Sequence, residues 1–136
     1  MVKIDHIGIA VNSLREAIPI YAAVAGENPS GEEEVPSEGV RVAFFGRDVG
    51  RIELLEPTTP ESPIARFLER RGPGLHHVCV AVDDLDATLE HLAGSDVTPI
   101  SPGLRTGAGG HRVAFLHPRD TGGVLLELSE RDSTHT

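Results

Sequence analysis

Tryptophan is absent from this 136-residue sequence, and cysteine, tyrosine and methionine occur once each. The single Cys79 cannot form an internal disulfide, a pattern consistent with a reducing compartment. No window approaches the roughly 20 apolar residues of a membrane span, and the start MVKIDHIGIAV runs directly into a strand-like pattern without a signal-peptide core. These absences predict a cytoplasmic protein that makes no membrane contact.

Positive charge is also scarce. Twelve Lys and Arg residues stand against 21 Asp and Glu residues, which gives a formal net charge of −9 with His neutral. That sign repels phosphate backbones at long range, so we expect no nucleic-acid partner. Hydrophobic residues make up 39% of the chain, enough for a core, and its length fits one domain spanning 1–136.

The sequence contains an internal repeat. HIGIAVNSLRE at 6–16 resembles HVCVAVDDLDA at 77–87, and the RVAF string at 41–44 recurs at 112–115. Both matches keep the same offset of 71 residues. Each copy continues into an apolar strand that contains a glutamate, RIELLE in the first and GVLLELSE in the second. Two matches at one offset predict two copies of one module.

Each module has the pattern of a strand, a helix and three further strands, a β-α-β-β-β order of the α+β fold class. Module one is expected over 1–58 and module two over 74–131. Between them, Ser62 and Pro63 form an N-cap and first-turn pair ahead of an apolar stripe. This pair predicts a connecting helix over 61–71.

Each module also carries one histidine and one glutamate within apolar strands: His6 and Glu53 in the first, His77 and Glu127 in the second. A carboxylate in so apolar a strand is costly to bury unless a cation or strong hydrogen bonds satisfy it. Two imidazoles and two carboxylates suit a divalent ion such as Co²⁺, Mn²⁺, Ni²⁺, Fe²⁺ or Zn²⁺. We predict that the pseudo-twofold symmetry of the repeat brings the four onto one ion, at ligand distances of about 2.0–2.3 Å.

A purely structural role for these residues is the alternative. A lone histidine in a strand is more often a hydrogen-bonded core or edge residue than a ligand, but recurrence of the same pair at the same module positions favours a metal site. Strand alternation predicts that His76 faces the side opposite to His77, in a packing or supporting role. Cys79 shares the His77 face and is expected to be a packing residue.

The chain resembles the methylmalonyl-CoA epimerase family, within the vicinal oxygen chelate superfamily that includes glyoxalase I. The resemblance rests on DHIGIAV, RIELLEP, SPIARFLERRGPGLHHVCVAV and TGAGGHRVAFLHP…GVLLEL, and it covers nearly the whole chain. It implies two tandem modules that pair into a curved, partly closed mixed β-sheet around a metal. The implied metal ligands are His6, Glu53, His77 and Glu127.

The resemblance also implies the activity, the cofactor and the partners. Family members interconvert the (2R) and (2S) forms of methylmalonyl-CoA by removing and returning the proton between the thioester and the free carboxylate. The implied cofactor is a divalent metal ion, foremost Co²⁺, with Mn²⁺, Ni²⁺, Zn²⁺, Fe²⁺ or Mg²⁺ as alternatives. The implied assembly is a homodimer.

One departure from the family concerns the acid–base pair. Some members carry a catalytic glutamate at the position that Val42 occupies here, and some use glutamine where this chain has Glu53. We therefore hypothesise that Glu53 and Glu127 are catalytic bases on opposite faces of the substrate. If Glu53 is only a ligand, Glu38, at the start of the strand that contains Val42, is the next candidate for the second base, followed by a metal-bound water.

Substrate contacts are expected in the TGAGGH loop at 106–111. There Gly107, Gly109 and Gly110 permit close main-chain approach to a carboxylate or thioester, although a plain hairpin fits the same pattern.

Two other functions fit the same fold. Glyoxalase I is the alternative enzyme, because its bacterial forms can use the same ligand set. A metal-free small-molecule binding module is the third alternative, but such pockets usually need aromatic platforms, and this chain offers one tyrosine and four phenylalanines.

Overall fold

A computed structural model describes residues 2–100, 105–106 and 111–131. Its helices are α1 (Leu14–Ala25), α2 (Pro63–Arg71) and α3 (Leu85–Ala93). Its strands are β1 (Lys3–Ala10), β2 (Gly31–Val35), β3 (Val40–Phe45), β4 (Arg51–Pro57), β5 (Gly74–Val82), β6 (Arg105–Thr106), β7 (Arg112–Leu116) and β8 (Leu126–Glu130). Short 3₁₀ helices cover Pro36–Glu38 and Pro118–Asp120.

All eight strands belong to one mixed sheet with the order β2-β3-β4-β1-β5-β8-β7-β6. β1 pairs with β4, and β5 pairs with β8, in parallel, whereas β1 and β5 meet antiparallel at the centre. Each half therefore repeats the same strand pattern outward from the centre. The predicted α+β fold, two β-α-β-β-β units that pair into a curved mixed sheet, is confirmed.

Side-chain caps fix where the helices begin. The Ser13 hydroxyl accepts a hydrogen bond from the backbone N–H of Glu16, and the Asp84 carboxylate accepts one from Ala87. The predicted connecting helix is α2, which begins after Ser62, and the Ser62 hydroxyl accepts from the backbone N–H of Ile64.

The helices cover opposite faces of the sheet. In the first module, Leu14 of α1 packs against Leu54 and Phe45 on one face. Ile64 of α2 packs against Leu55, and with it Val35, Val40 and Val42, on the other face. His6 and Glu53 alternate with the residues under α1, so their side chains belong to the face that α2 partly covers.

No helix in the described ranges is both long enough and apolar enough to cross a membrane.

Candidate metal centre and substrate pocket

Strand register brings the four predicted ligands to the middle of the sheet. The register positions them in two pairs: His77 and Glu53 flank Gly8, while His6 and Glu127 flank Cys79. Because each pair combines one residue from each module, the antiparallel β1–β5 contact joins the two modules at this point. The pseudo-twofold relation expected from the repeat is present in the pairing itself.

Three of the four side chains meet at one point. The Nε2 atoms of His6 and His77 lie 3.1 Å apart, and each lies 3.1 Å from Oε1 of Glu127. Each of the three residues is only 6% exposed. We call these three residues the His–His–Glu cluster.

Glu53 lies beside this cluster. Its Oε2 is 3.2 Å from Nδ1 of His6, on the far side of the ring from the cluster, and 3.1 Å from Nη2 of Arg51. The residue is buried, with 3% exposure. The structure thus assembles three predicted ligands at one point and holds the fourth next to His6, where its role as a ligand stays a prediction.

Two β-bulges precede the two histidines. The β1–β5 register shifts between Ile4 and His6, and again between Gly8 and Ile9, so Asp5 on β1 and His76 on β5 are extra residues in their strands. A bulge breaks the alternation of side chains. The expectation that His76 faces away from His77 is therefore wrong, and both residues line the same pocket.

Each bulged residue holds the histidine that follows it. Nδ1 of His6 donates to Oδ1 of Asp5 over 2.7 Å, and a 2.9 Å hydrogen bond joins Nδ1 of His77 to Nδ1 of His76. These contacts occupy the Nδ1 side of both rings and direct both Nε2 atoms into the cluster. Hydrogen bonding of the remote ring nitrogen is the usual way in which proteins orient a metal-binding imidazole.

Asp5 is held by two arginines as well as by His6. Its carboxylate accepts from Arg51 at 3.0 Å and from Nε of Arg131 at 3.1 Å, and the residue is 1% exposed. Burial alone would raise the pKa of Asp5, but the His6 hydrogen bond and the two arginines outweigh it and lower the pKa to about 2. A buried charge is tolerated here because it is fully paired.

The remaining ionisable groups are strongly coupled. Burial would lower the pKa of His6, but hydrogen bonds with Asp5 and Glu127 and the charge of Glu53 raise it to about 9. Burial raises the pKa of Glu53 to about 7 despite the nearby His6 and Arg51. Burial would likewise raise the pKa of Glu127, but hydrogen bonds with both histidines lower it to about 2.

The neighbouring His76 and Cys79 are both kept neutral by burial. Burial, followed by the charge of His77, lowers the pKa of His76 to about 4. Burial raises the pKa of the Cys79 thiol well above its usual range, which disfavours the thiolate form that a nucleophile requires.

The donor set of the cluster fits a divalent cation. Neighbouring ligands bound at about 2.1 Å to one first-row ion lie about 3 Å apart, and the three edges of the cluster match this spacing. Asp5, Glu53 and Glu127 all contact His6, and a divalent cation bound to the neutral ring would take the place of its second proton. Two imidazole nitrogens with carboxylate oxygens suit the borderline first-row ions.

The cluster opens into an apolar pocket of about 320 Å³. Its polar lining consists of Glu38, Glu53, His76, His77 and Glu127, and its apolar lining includes Val42, Leu55, Ile64, Val113 and Phe115. Val42 is 1% exposed and closes the wall beside Leu55. Where the resemblance implies a glutamate in some members, this chain has a hydrocarbon wall, and Glu38 lines the same pocket.

A family model of the Glyoxalase/Bleomycin resistance protein/Dioxygenase superfamily matches residues 5–115. The chain belongs to this superfamily.

Several proteins that are similar to this chain are named as methylmalonyl-CoA epimerases. Human mitochondrial methylmalonyl-CoA epimerase is 37% identical over 94% of this chain and 73% of its own length. The crystal structure of methylmalonyl-CoA epimerase from Mycobacterium tuberculosis is 36% identical, with a TM-score of 0.89 over 97% of this chain and 89% of that chain. A Streptomyces coelicolor methylmalonyl-CoA epimerase in complex with 2-nitronate-propionyl-CoA is 32% identical, with a TM-score of 0.92 over 100% of this chain and 99% of that chain. The family resemblance inferred from the motifs is confirmed.

Sequence reasoning missed the supports of the superfamily site. The sequence pattern did not identify Asp5, Arg51 and Arg131 as site residues. Asp5 contacts arginines that lie far away in the sequence, and its contact with the adjacent His6 depends on the β-bulge. The DH dipeptide at 5–6, repeated as HH at 76–77, was the available signal, since both supporting residues immediately precede a candidate ligand. The predicted substrate contacts at Gly107, Gly109 and Gly110 lie outside the described residues.

Gly8 makes room for His77. A Cβ atom at Gly8 would lie 2.1 Å from Cε1 and 2.5 Å from Nδ1 of His77. We expect Gly8→Ala to displace this ring and to weaken divalent-metal binding and turnover by ~10²-fold, since displacements of about 1 Å at a reacting centre have effects of that size. Metal titration of the folded variant measures the loss.

Gly31→Ala is the matched control for Gly8→Ala. Gly31 also lies in a strand, and a Cβ atom at Gly31 would have Cδ2 of Phe44 as its nearest neighbour, at 4.0 Å. This control should bind metal as the wild type does. Normal metal affinity in Gly8→Ala would show that the His77 ring can move without leaving the cluster.

Proposed function

We propose that this protein is a methylmalonyl-CoA epimerase that interconverts the (2R) and (2S) forms by removing and returning the α-proton. The observation that carries the proposal is the buried His–His–Glu cluster at the end of an apolar pocket. The identity of 36–37% to proteins named as epimerases of this substrate supports it.

The residues proposed to hold a divalent ion are His6, His77 and Glu127, with Glu53 as the fourth ligand. A bound cation supplies positive charge next to the thioester and carboxylate oxygens, where negative charge develops as the α-proton leaves. We propose Co²⁺ as the native ion, with Mn²⁺, Ni²⁺, Zn²⁺, Fe²⁺ and Mg²⁺ as the alternatives.

The acid–base groups are proposed to be Glu53 and Glu127. They project from β4 and β8, on opposite sides of the central β1–β5 pair, and both line the pocket. Epimerisation needs a proton acceptor on each face of the α-carbon, and two carboxylates related by the pseudo-twofold axis meet that need. Glu38 is the alternative second base because it lines the same pocket.

The direct test is hydrogen exchange at the α-carbon. The metal-loaded protein is incubated with (2S)-methylmalonyl-CoA in D₂O, and mass spectrometry and chiral analysis follow deuterium uptake and formation of the (2R) form. We expect both. Turnover of the methylglyoxal–glutathione hemithioacetal, without α-deuterium in methylmalonyl-CoA, would assign the protein to glyoxalase I instead.

Two further features belong to this proposal. We propose a homodimer, which light scattering of the metal-loaded protein tests. We also propose a cytoplasmic location, which differs from the mitochondrial location in the name of the human relative.

A further inference from the structure

The two modules differ in the residue that lies two positions before each strand glutamate. Arg51 precedes Glu53 in RIE, whereas Leu125 precedes Glu127 in LLE. The Arg51 guanidinium contacts Glu53 directly, and Leu125 lines the same pocket as Glu127. Module one therefore places a cation, and module two a hydrocarbon side chain, next to its glutamate.

This difference matches the different positions of the two carboxylates. Oε1 of Glu127 lies 3.1 Å from the Nε2 atoms of both His6 and His77. Oε2 of Glu53 lies instead on the Nδ1 side of His6 and accepts from Nη2 of Arg51 at 3.1 Å. No described residue forms a hydrogen bond or an ion pair with Oε1 of Glu53, and this glutamate lines the pocket. One oxygen of Glu53 is thus anchored, and the other is available for chemistry.

The Arg51 side chain is itself fixed in one place. It is 14% exposed, its guanidinium lies 5.5 Å from the ring centroid of Phe44, and Nη2 also donates to Asp5 at 3.0 Å. Nε of Arg51 is buried without a hydrogen-bond partner among the described residues, a cost that the two carboxylate contacts must outweigh. An arginine held in this way is a fixed anchor for the Glu53 carboxylate.

We propose that Arg51 is a positioning residue for proton transfer: it holds Oε2 of Glu53 on the Nδ1 side of His6 and so leaves Oε1 for the ion and the substrate proton. The proposal rests on the proposed function, because it assigns the Glu53 carboxylate to the α-proton. A general base works only within hydrogen-bond reach of the proton that it accepts. Without Arg51, Glu53 keeps His6 as its one partner among the described residues, and the carboxylate can turn away from the substrate.

The competing explanation is that Arg51 serves only as a counter-ion of Asp5 and acts on the metal through His6. Arg131 separates the two explanations. It contacts Oδ2 of Asp5 through Nε at 3.1 Å and Nη2 at 3.0 Å, but it forms no ion pair with Glu53. A role through Asp5 predicts that loss of either arginine slows proton removal from both enantiomers alike. Positioning of Glu53 predicts an unequal effect on the two enantiomers, and from Arg51 alone.

The experiment compares Arg51→Leu, Arg51→Lys and Arg131→Leu in the metal-loaded protein. Leucine reproduces the residue of module two. Lysine can restore the contact, because a single nitrogen, Nη2, makes both carboxylate contacts of Arg51. Arg47→Leu, at an exposed arginine of the turn before β4, is the control for loss of charge. Initial rates of α-deuterium uptake in D₂O are measured separately from (2R)- and (2S)-methylmalonyl-CoA, and crystal structures of the variants locate the Glu53 carboxylate.

We expect Arg51→Leu to slow exchange about 10–100-fold for the enantiomer that depends on Glu53, which Glu53→Gln identifies, and to leave the other near the wild-type rate. Arg51→Lys should recover most of the lost rate. Arg131→Leu should slow both enantiomers alike, and Arg47→Leu should slow neither. In the crystal structures, Arg51→Leu should displace the Glu53 carboxylate by about 1 Å or more, and Arg51→Lys should leave it in place.

Equal slowing of both enantiomers by Arg51→Leu, or an unmoved Glu53 carboxylate in that variant, would overturn the proposal. Arg51→Met, which keeps an unbranched side chain against Phe44, provides the same test if the leucine variant does not fold. A wild-type protein that exchanges neither enantiomer would refute the proposed function. Displacement of Glu53 in Arg51→Leu, but not in Arg51→Lys, would even then show that Arg51 holds this carboxylate.

Discussion

His77→Ala is expected to lose the divalent metal and the epimerase activity together. The ring supplies one corner of the His–His–Glu cluster, with Nε2 3.1 Å from both other donor atoms. Alanine leaves two donors in the cluster and a void at its third corner. Elemental analysis after dialysis should show little bound metal. Activity should fall by at least ~10³-fold, because the cation that would stabilise the negative charge on the substrate oxygens is lost.

His76→Ala is the matched comparison, one residue away in the same strand. It removes the hydrogen bond to Nδ1 of His77 but no donor atom of the cluster. The variant should keep the metal, with an affinity lowered by about 10–100-fold, as is usual when the support of a ligating histidine is removed. If His76→Ala lost the metal completely and His77→Ala retained it, His76 would be the ligand and His77 its support.

Glu53→Gln and Glu127→Gln are each expected to slow epimerisation strongly while preserving exchange from one enantiomer. Glutamine keeps an oxygen that can bind a cation but cannot accept the proton. Each variant, reloaded with metal, should therefore epimerise ~10²–10⁴-fold more slowly, the usual contribution of a general base. In D₂O it should still exchange the α-proton of the enantiomer that faces the surviving carboxylate, and the two variants should prefer opposite enantiomers.

The control for both variants is Glu32→Gln, an exposed glutamate of β2 that does not line the pocket. It should epimerise at the wild-type rate. Normal epimerisation by metal-loaded Glu53→Gln would reduce Glu53 to a ligand at most. Glu38→Gln would then be expected to show the one-sided exchange instead.

Glu53 illustrates the limit of the sequence-based prediction. The repeat identified it as the partner of His6, and strand register does bring it to the centre of the sheet. The direction of its carboxylate depends on Arg51, two residues earlier on the same strand face, and on Nδ1 of His6. The sequence pattern gives the position of a side chain along a strand but not which of several charged neighbours it contacts.

The residues that hold the two histidines could not be predicted for a different reason. Alternation with period two describes an unbroken strand, and it correctly orders His6, Gly8 and Ala10 on one face. A bulge is a property of two paired strands, because the extra residue exists only relative to its partner. Asp5 and His76 acquired their contacts with His6 and His77 from the β1–β5 pairing alone.

The sequence by itself determined the duplicated module and the start of the connecting helix at Ser62, and its repeat singled out His6, Glu53, His77 and Glu127 as a set. These features are local patterns or repeats, and the physics behind them acts over a few residues. The tertiary structure alone decided the close approach of Gly8 to His77 and the anchoring of Asp5 by Arg131. Those features join residues far apart in the chain, whose distances are set by strand register and helix packing and not by any local preference.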